Sequence, residues 1–222
     1  MSLVAQERPD RRQVRRAQTI DEIVQVAIDV MGEQGAAGLS LGEVARRIGI
    51  RPPSLYVYFP SKSAVYDAVF AQGWEDVLAT ISAQPEPDAT TDAQDYLLNH
   101  ANHFVRWTME HPVHAQLMVW RTVPGYEPSA AAYEPALAIM ALTSRRLEAL
   151  QRLGLLASTA ASEELVGAWV TLIGGVVTQQ LANAPKQTFQ EGTWSRLLPA
   201  LTSMFTAHYA PAPRRGSTKG KP

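Results

Sequence analysis

Apolar residues recur at intervals of three and four positions along almost the whole chain, which is the spacing of α-helices with one buried face. In the first such segment, residues 19–34, this face would carry Ile20, Ile23, Val24, Ala27, Val30 and Met31. The same spacing predicts further helices over 41–48, 52–58, 62–82, 93–110, 112–121, 129–153, 160–184 and 191–208. No segment alternates apolar and polar residues with the period of a strand, so the predicted fold is all-α.

Segments that are poor in apolar residues divide the chain. Residues 83–92 (AQPEPDATTD) are rich in Pro, Asp and Thr, which favours a connector between an N-terminal domain over 19–82 and a larger C-terminal domain over 93–210. Residues 1–18 are predicted to be a flexible basic arm. Residues 211–222 (PAPRRGSTKGKP) cannot form a core and are predicted to be a disordered basic tail.

Composition excludes several classes of protein. The 222 residues are 46% hydrophobic and 18% charged, so the chain can bury a core and is not predicted to be disordered over most of its length. Because there is no cysteine, disulfides, Cys-ligated zinc and thiol catalysis are excluded. No run of 18 uninterrupted apolar residues occurs, and the N-terminal segment is charged where a signal peptide is apolar. The sequence therefore predicts a soluble cytoplasmic protein.

Basic residues are concentrated in the N-terminal part of the chain, although the net charge of the whole chain is only −1. Within one short stretch, only Asp10 opposes the arginines Arg8, Arg11, Arg12, Arg15 and Arg16. Further basic residues follow at Arg46, Arg47, Arg51 and Lys62. A locally basic segment on a nearly neutral protein fits a site for a polyanion. A solubilising arm would have the same composition, and charge alone does not separate the two interpretations.

Residues 41–58 have the pattern of two short helices joined by a tight turn, which is typical of a helix-turn-helix. Ser40 and Glu43 have the spacing of a capping box at the start of the first helix. Gly49 permits a backbone conformation in the turn that other residues resist. If Leu55 packs inward, the side chains left at the outward surface can contact phosphates and base edges; they are Arg51, Pro52, Ser54, Tyr56, Val57 and Tyr58.

A specific motif, LYVYFPSKSAV, occupies residues 55–65. It is close to the signature LYxHFxSKxxL, and residues 20–70 as a whole resemble the DNA-binding domain of the TetR/AcrR family of bacterial transcriptional regulators. Tyr58 stands where the family usually has His, and Pro52-Pro53 is stiffer than the usual pair of small residues. The other matching positions include Ile23-Val24, Ala27, Met31, Gly35, Leu41, Val44-Ala45 and Ile48-Gly49-Ile50.

The resemblance implies an N-terminal three-helix DNA-binding domain and a larger C-terminal helical domain for ligand binding and dimerisation. Each protomer of a homodimer would insert one recognition helix into the major groove of a palindromic, double-stranded operator. The implied DNA-binding residues are Arg51, Pro52, Ser54 and Tyr56 at the bases or adjacent backbone, Tyr58 and Lys62 at phosphates, and Arg15 and Arg16 at the flanking backbone or minor groove.

The C-terminal domain is rich in large apolar and aromatic residues and can hold an apolar cavity. The resemblance implies that a small apolar or aromatic effector binds there and releases a repressor from DNA. Core packing is the more common role for any single residue of this type. The expected ligand-binding residues are His103, Phe104, Trp107, Met118, Trp120, Tyr126, Tyr133 and Trp169.

Helices 160–184 and 191–208 are predicted to form the interface of the homodimer. Four small residues at or near helical spacing would let a partner helix approach closely: Ala168, Thr171, Gly174 and Gly175. The alternative is that this surface packs only within the chain. Recognition of a symmetric operator requires two half-sites, and therefore a dimer.

Four of the five histidines fall between residues 100 and 114, at His100, His103, His111 and His114. Their spacing leaves open a metal-sensing regulator, with Glu110 or Asp95 as a carboxylate ligand. The sequence also leaves open a helical enzyme or a purely structural DNA-binding protein, although no nucleophile elbow, HExxH or phosphate loop is present. The main expectation includes no catalytic residue, no cofactor, no bound metal and no membrane partner.

Overall fold

The computed structural model describes residues 10–212, and every regular element in that range is helical, which confirms the predicted all-α fold. The α-helices of this range are α1 (Arg11–Gln34), α2 (Leu41–Arg47), α3 (Pro52–Leu55), α4 (Lys62–Ser82), α5 (Ala93–Glu110), α6 (Pro112–Val119), α7 (Ala130–Arg152), α8 (Ser162–Asn183) and α9 (Leu198–His208). Short 3₁₀ turns precede α2 at Ala36–Gly38 and α9 at Ser195–Leu197.

The chain forms two compact units, and each unit is built from two separate stretches. Within the described range, the N-terminal unit consists of residues 10–73 and 112–133, and the C-terminal unit consists of residues 74–111 and 134–212. The units therefore do not divide at residues 83–92, the boundary that the sequence predicts. Composition marks where the chain is polar, whereas the division depends on which helices pack together, and α6 packs against α1.

Helix α6 and the loop after it complete the N-terminal unit. Leu117 of α6 is fully buried. In the following loop, the Tyr126 ring lies 5.0 Å from the Tyr66 ring, and the Tyr126 hydroxyl donates a hydrogen bond to Asp67 Oδ1 at 2.9 Å. The sequence assigned these residues to the C-terminal ligand-binding domain, but they pack with the helix-turn-helix.

Helix α1 begins earlier than the apolar pattern predicts. Asp10 is its N-cap, and the carboxylate accepts a hydrogen bond from the Arg12 backbone N–H at 3.0 Å. The predicted flexible arm is therefore wrong for residues 11–18, which are the first two turns of α1. These residues are exposed, so they lack the apolar stripe that reveals a helix in a sequence. Residues 1–9 of the predicted arm, and residues 213–222 of the predicted tail, lie outside the described residues.

Helix α5 packs against α8 and α9 in the C-terminal unit. Trp169 of α8 is fully buried, and its ring lies 5.0 Å from the ring of Phe205 in α9. By length and composition α8 could cross a membrane, yet the same features occur in core helices of soluble proteins, and α8 buries one side in the C-terminal unit. Helix α9 begins at Leu198 rather than near residue 191, because a 3₁₀ turn comes first.

Candidate nucleic-acid interface

The helix-turn-helix forms for reasons that are visible in its residues. Ser40 Oγ accepts a hydrogen bond from the Glu43 N–H at 3.4 Å and starts α2. Gly49 has φ +71°, a conformation that favours glycine, and it turns the chain towards α3. Pro52 begins α3, where no N–H donor is required. Leu55 is fully buried and fixes the inner side of this short helix.

Helix α3 and the turn after it present their other side chains to solvent. Arg51, Pro52 and Ser54 are exposed. Tyr56 is 51% exposed and Val57 is 70% exposed, which is unusual for side chains of this size and polarity. The segment faces solvent, as the sequence predicts. Its contact with DNA stays a prediction.

A groove of about 590 Å³ runs beside this segment, and we call it the arginine groove. It lies between the first turns of α1 and the end of the α3 region. Among the described residues, no acidic side chain forms an ion pair with any of its four arginines. The groove therefore concentrates positive charge next to α3, and Asp10 is the one acidic residue in its described lining. Its lining residues are Asp10, Arg11, Arg12, Arg15, Arg16, Thr19, Val57 and Tyr58.

Arg16 and Tyr58 connect the two sides of the arginine groove. The Arg16 guanidinium lies 5.2 Å from the centroid of the Tyr58 ring, within the range of a cation–π contact. Stacking on an aromatic face uses the plane of the guanidinium and leaves its edge N–H groups available to donate. Arg16, which is predicted at the flanking backbone or minor groove, and Tyr58, which is predicted at a phosphate, are thus adjacent in the fold.

Other arginines in the same unit are already paired. Arg46 and Arg47 both bond to Glu43, and Arg47 also bonds to Glu33, which is 14 residues away in the sequence, at 2.6 and 2.8 Å. These hydrogen bonds lower the pKa of Glu43 to about 2 and also lower that of Glu33. Arg46 and Arg47 contributed to the basic zone of the sequence, but in the structure Arg46 pairs within α2 and Arg47 joins α2 to α1. The spacing of three and four residues in the sequence indicates the pairs of Arg46 and Arg47 with Glu43, but nothing in the sequence indicates the pair of Arg47 with Glu33.

Lys62, a predicted phosphate contact, is held by groups of the N-terminal unit. Its Nζ donates a hydrogen bond to the Ala37 carbonyl at 3.0 Å and lies 5.6 Å from the Tyr66 ring centroid. Ser61 Oγ accepts from the Ala64 N–H at 3.1 Å in the first turn of α4. An ammonium group has three donors, so the contact with Ala37 leaves Lys62 able to bind an anion as well.

Residues 23–69 match the family described as bacterial regulatory proteins, tetR family. The class A tetracycline repressor protein from transposon 1721 of Escherichia coli is 32% identical over 82 residues, which are 37% of this chain and 36% of that protein. The HTH-type transcriptional regulator Mb1846 of Mycobacterium bovis is 25% identical over 119 residues, which are 54% of this chain and 51% of that protein. The likeness to the tetR family is thus shown for the helix-turn-helix part of the chain.

Likeness to solved structures extends beyond the helix-turn-helix. The transcriptional regulator FadR from Bacillus subtilis, solved in complex with stearoyl-CoA, matches 84% of this chain and 97% of its own with a TM-score of 0.66 and 14% identity. This match shows that the chain shares the fold of that structure over most of its length. The matches to the two curated relatives, in contrast, span only about a third to a half of their lengths.

The eight predicted ligand-binding residues do not gather in one unit. Phe104 stacks on Trp74 with ring centroids 6.0 Å apart, and Tyr133 stacks on Phe70 at 5.7 Å, in different units. Their role towards a ligand stays a prediction. Met118, Trp120, Tyr126 and Tyr133 belong to the N-terminal unit, and His103, Phe104, Trp107 and Trp169 belong to the C-terminal unit.

The histidines do not form a metal site in the described part of the chain, where no group of three or more His, Cys, Asp or Glu side chains could hold a metal ion. His111 stacks on Trp107 and its Nδ1 hydrogen-bonds the Trp107 carbonyl at 2.8 Å. His114 belongs to the N-terminal unit and bonds Gln72 at 3.3 Å, whereas His100 is buried in the C-terminal unit. The metal-sensing alternative is not supported. Pro112 starts α6, which carries His114 and packs against α1 in the N-terminal unit.

Proposed function

We propose that this protein is a ligand-responsive transcriptional repressor of the TetR family that acts in the cytoplasm. It binds a palindromic, double-stranded operator as a homodimer, and a small apolar or aromatic effector releases it. The observation that carries the proposal is the exposed segment 51–58 beside the arginine groove, whose arginines form no ion pair within residues 10–212. We assign it no enzymatic reaction, because the relatives that it matches are regulators.

The exposed side chains fit the two kinds of contact that a duplex offers. Base edges in the major groove provide acceptors, donors and thymine methyl groups, which suit Arg51, Ser54, Tyr56 and the apolar Val57. Phosphates on either side suit Tyr58, Lys62, Arg15 and Arg16, together with Arg11 and Arg12. Phosphate contacts fix orientation and base contacts give sequence preference.

Homodimerisation would use the exposed sides of α8 and α9. Gly167, Gly174 and Gly175 have open space where a Cβ would stand, so a partner helix can approach their backbone closely. Val170 of α8 is 40% exposed and Met204 of α9 is 67% exposed, and their burial would supply apolar area. A dimer of this kind presents two recognition helices to two half-sites.

Release by an effector requires that the effector favour one protomer arrangement over another, and the coupling to DNA is then reciprocal. Two relatives point to small-molecule control: one is named a tetracycline repressor, and the structure of another contains stearoyl-CoA. We infer the same mode of control here, with the effector in the C-terminal unit. A screen by thermal shift would find it, because a ligand that binds only the folded state raises the melting temperature.

The test of DNA binding is selection of sequences from a random duplex library by the full chain, followed by fluorescence anisotropy on the selected duplex. We expect a palindromic site, and we expect Tyr56→Ala to weaken binding to it by about tenfold or more, the effect of losing one base contact. Leu137→Ala is the matched control, since Leu137 is 57% exposed but lies on α7. Selection of no common sequence, or equal affinity of both variants, would contradict the proposal.

A further inference from the structure

The C-terminal unit buries polar atoms that have no hydrogen-bond partner. The Tyr96 hydroxyl, Gln84 Oε1 and Trp169 Nε1 are all shielded from solvent and unpartnered. Their residues are 9%, 8% and 0% exposed. Folding normally pairs such atoms, because a buried donor or acceptor without a partner has lost the hydrogen bonds that water would supply, and this loss costs free energy. Phenylalanine would fill the position of Tyr96 without this cost.

These atoms belong to one group of neighbouring side chains. Tyr96 and His100 lie one turn apart on the same face of α5, and the His100 ring is 6.2 Å from the Trp169 ring. Gln84 Nε2 donates to the Tyr96 carbonyl at 3.0 Å, and Arg146 Nη2 donates to the Gln84 carbonyl at 2.5 Å. We call Gln84, Tyr96, His100, Arg146 and Trp169 the polar cluster.

Arg146 gives the polar cluster a positive charge that is only partly balanced. The residue is 2% exposed, and its Nη1 donates to the Ile81 carbonyl at 2.9 Å. Its carboxylate partner, Glu86, is 3.5 Å away, and the Glu86 side chain is 62% exposed. A guanidinium has five N–H donors, so donors remain after the contacts to Ile81, Gln84 and Glu86.

His100 adds a neutral imidazole to this group. Burial, and then the nearby charges of Arg146 and His103, lower its pKa to about 4, so it is uncharged at neutral pH. Its ring therefore carries one N–H donor. The polar cluster as a whole offers donors from Tyr96, Trp169, His100 and Arg146, with apolar side chains such as Leu97 and Phe205 also buried in this unit.

We propose that the polar cluster binds the carboxylate of an apolar small molecule. This inference rests on the proposed function, because it takes that molecule to be the effector. A carboxylate is an acceptor with about four lone-pair sites, so it can satisfy several of these donors at once and balance the charge of Arg146. An apolar body would lie against the aliphatic and aromatic side chains. The arrangement of concentrated polar anchors in an otherwise apolar region is typical of small-molecule sites.

The test is calorimetric titration of the full chain with butyrate, octanoate, laurate, benzoate and phenylacetate, each compared with its neutral amide. We expect at least one carboxylate to bind, and its amide to bind at least tenfold more weakly. Tyr96→Phe should weaken that carboxylate by about tenfold or more, the effect of a hydrogen bond to a charged group. Without ligand, the melting temperature of Tyr96→Phe should equal or exceed that of the parent chain, because the lost hydroxyl has no partner.

Tyr209→Phe is the control, since the Tyr209 hydroxyl already donates to Glu164 at 3.0 Å, and its removal should leave carboxylate affinity unchanged. The inference is overturned if no carboxylate binds, if amides bind equally well, or if Tyr96→Phe retains full affinity. Calorimetry uses no DNA. Failure to bind an operator would therefore contradict the proposed function alone, and failure to bind carboxylates would contradict this inference alone.

Discussion

Arg16 illustrates how a single side chain can be prepared for a phosphate. It projects from a helix, its guanidinium rests over the Tyr58 ring, and it has no acidic partner among the described residues. A long side chain normally loses rotamer freedom when it binds, and contact with a ring restricts it beforehand. Arg47 is the contrast, because Glu33 and Glu43 already occupy its donors.

We expect Arg16→Gln to reduce both operator affinity and its dependence on salt. Each phosphate contact releases counterions, which contributes a slope of about 0.9 in log K against log salt. A homodimer loses two such contacts, so the slope should become shallower by about 2. Anisotropy titrations over a range of salt concentrations measure it. Arg152→Gln, an exposed change in the last turn of α7, should leave the slope unaltered, and an unaltered slope in Arg16→Gln would exclude the contact.

Glu43 makes the stability of the protein depend on pH. Hydrogen bonds from Arg46 and Arg47 lower its pKa from the usual 4.5 to about 2 in the folded state. The unfolded chain therefore binds the proton more readily between these values, so the stabilisation is complete above about pH 4.5 and is lost as pH falls towards 2. We expect the melting temperature to fall over this interval, and to fall less in Glu43→Gln. The melting temperature of Glu22→Gln, a change on an exposed face of α1, should fall as much as that of the parent chain. An equal fall in melting temperature for all three proteins would contradict this account.

At the scale of elements, the turn between α2 and α3 depends on one backbone conformation. Gly49 has φ +71°, and no heavy atom lies within 4 Å of the position of an added Cβ. A side chain at position 49 would therefore destabilise the fold through its strained backbone conformation rather than through a steric clash.

Gly49→Ala should lower the free energy of unfolding by about 1–2 kcal/mol, the cost of left-handed backbone for an L-residue. Gly42→Ala is the matched control: Gly42 is an exposed helical position in α2, where alanine should stabilise by about 0.5–1 kcal/mol. Urea denaturation gives both values. If the two substitutions had the same sign, the left-handed turn would not be the reason for this glycine.

The sequence predicted elements well wherever a residue with a local effect marks their ends. The bounds of α4 and α5 agree with the prediction, since Ser61, Asp92 and Pro112 act on their immediate neighbours. The start of α1 was missed, because residues 11–18 have no buried face and only the cap at Asp10 marks the helix. The exposed residues of α3 could be predicted from periodicity, whereas the Arg47–Glu33 pair depends on packing between helices.

For the whole molecule, the proposed homodimer can be tested apart from DNA. Val170→Arg and Met204→Arg would each bury an unpaired charge in the interface, which is strongly unfavourable. We expect the parent chain to sediment as a dimer, and both variants to sediment as folded monomers that have lost operator binding. Leu153→Arg, at a 38% exposed position after α7, should remain dimeric. Dimers in both interface variants would move the interface elsewhere.

Composition could not predict how the chain divides into units. The stretch 83–92 has the polar content of a linker, but compactness depends on long-range contacts such as Tyr126 with Tyr66 and Asp67. These residues are about 60 positions apart, and neither their types nor their spacing indicates that they meet. The same limit applies to the polar cluster, whose members come from α5, α7, α8 and the connecting segment after α4.

The two-stretch construction of the N-terminal unit limits how modular the regulator can be. A chimaera that grafts residues 1–82 onto a foreign sensor would leave behind residues 112–133, which contribute Leu117 and Tyr126 to the same interior. The graft would expose apolar surface of Tyr66 and α1 that Tyr126 and α6 normally cover, and it would lack the hydroxyl that pairs with Asp67. Successful domain exchange in this protein therefore requires transplanting both stretches together.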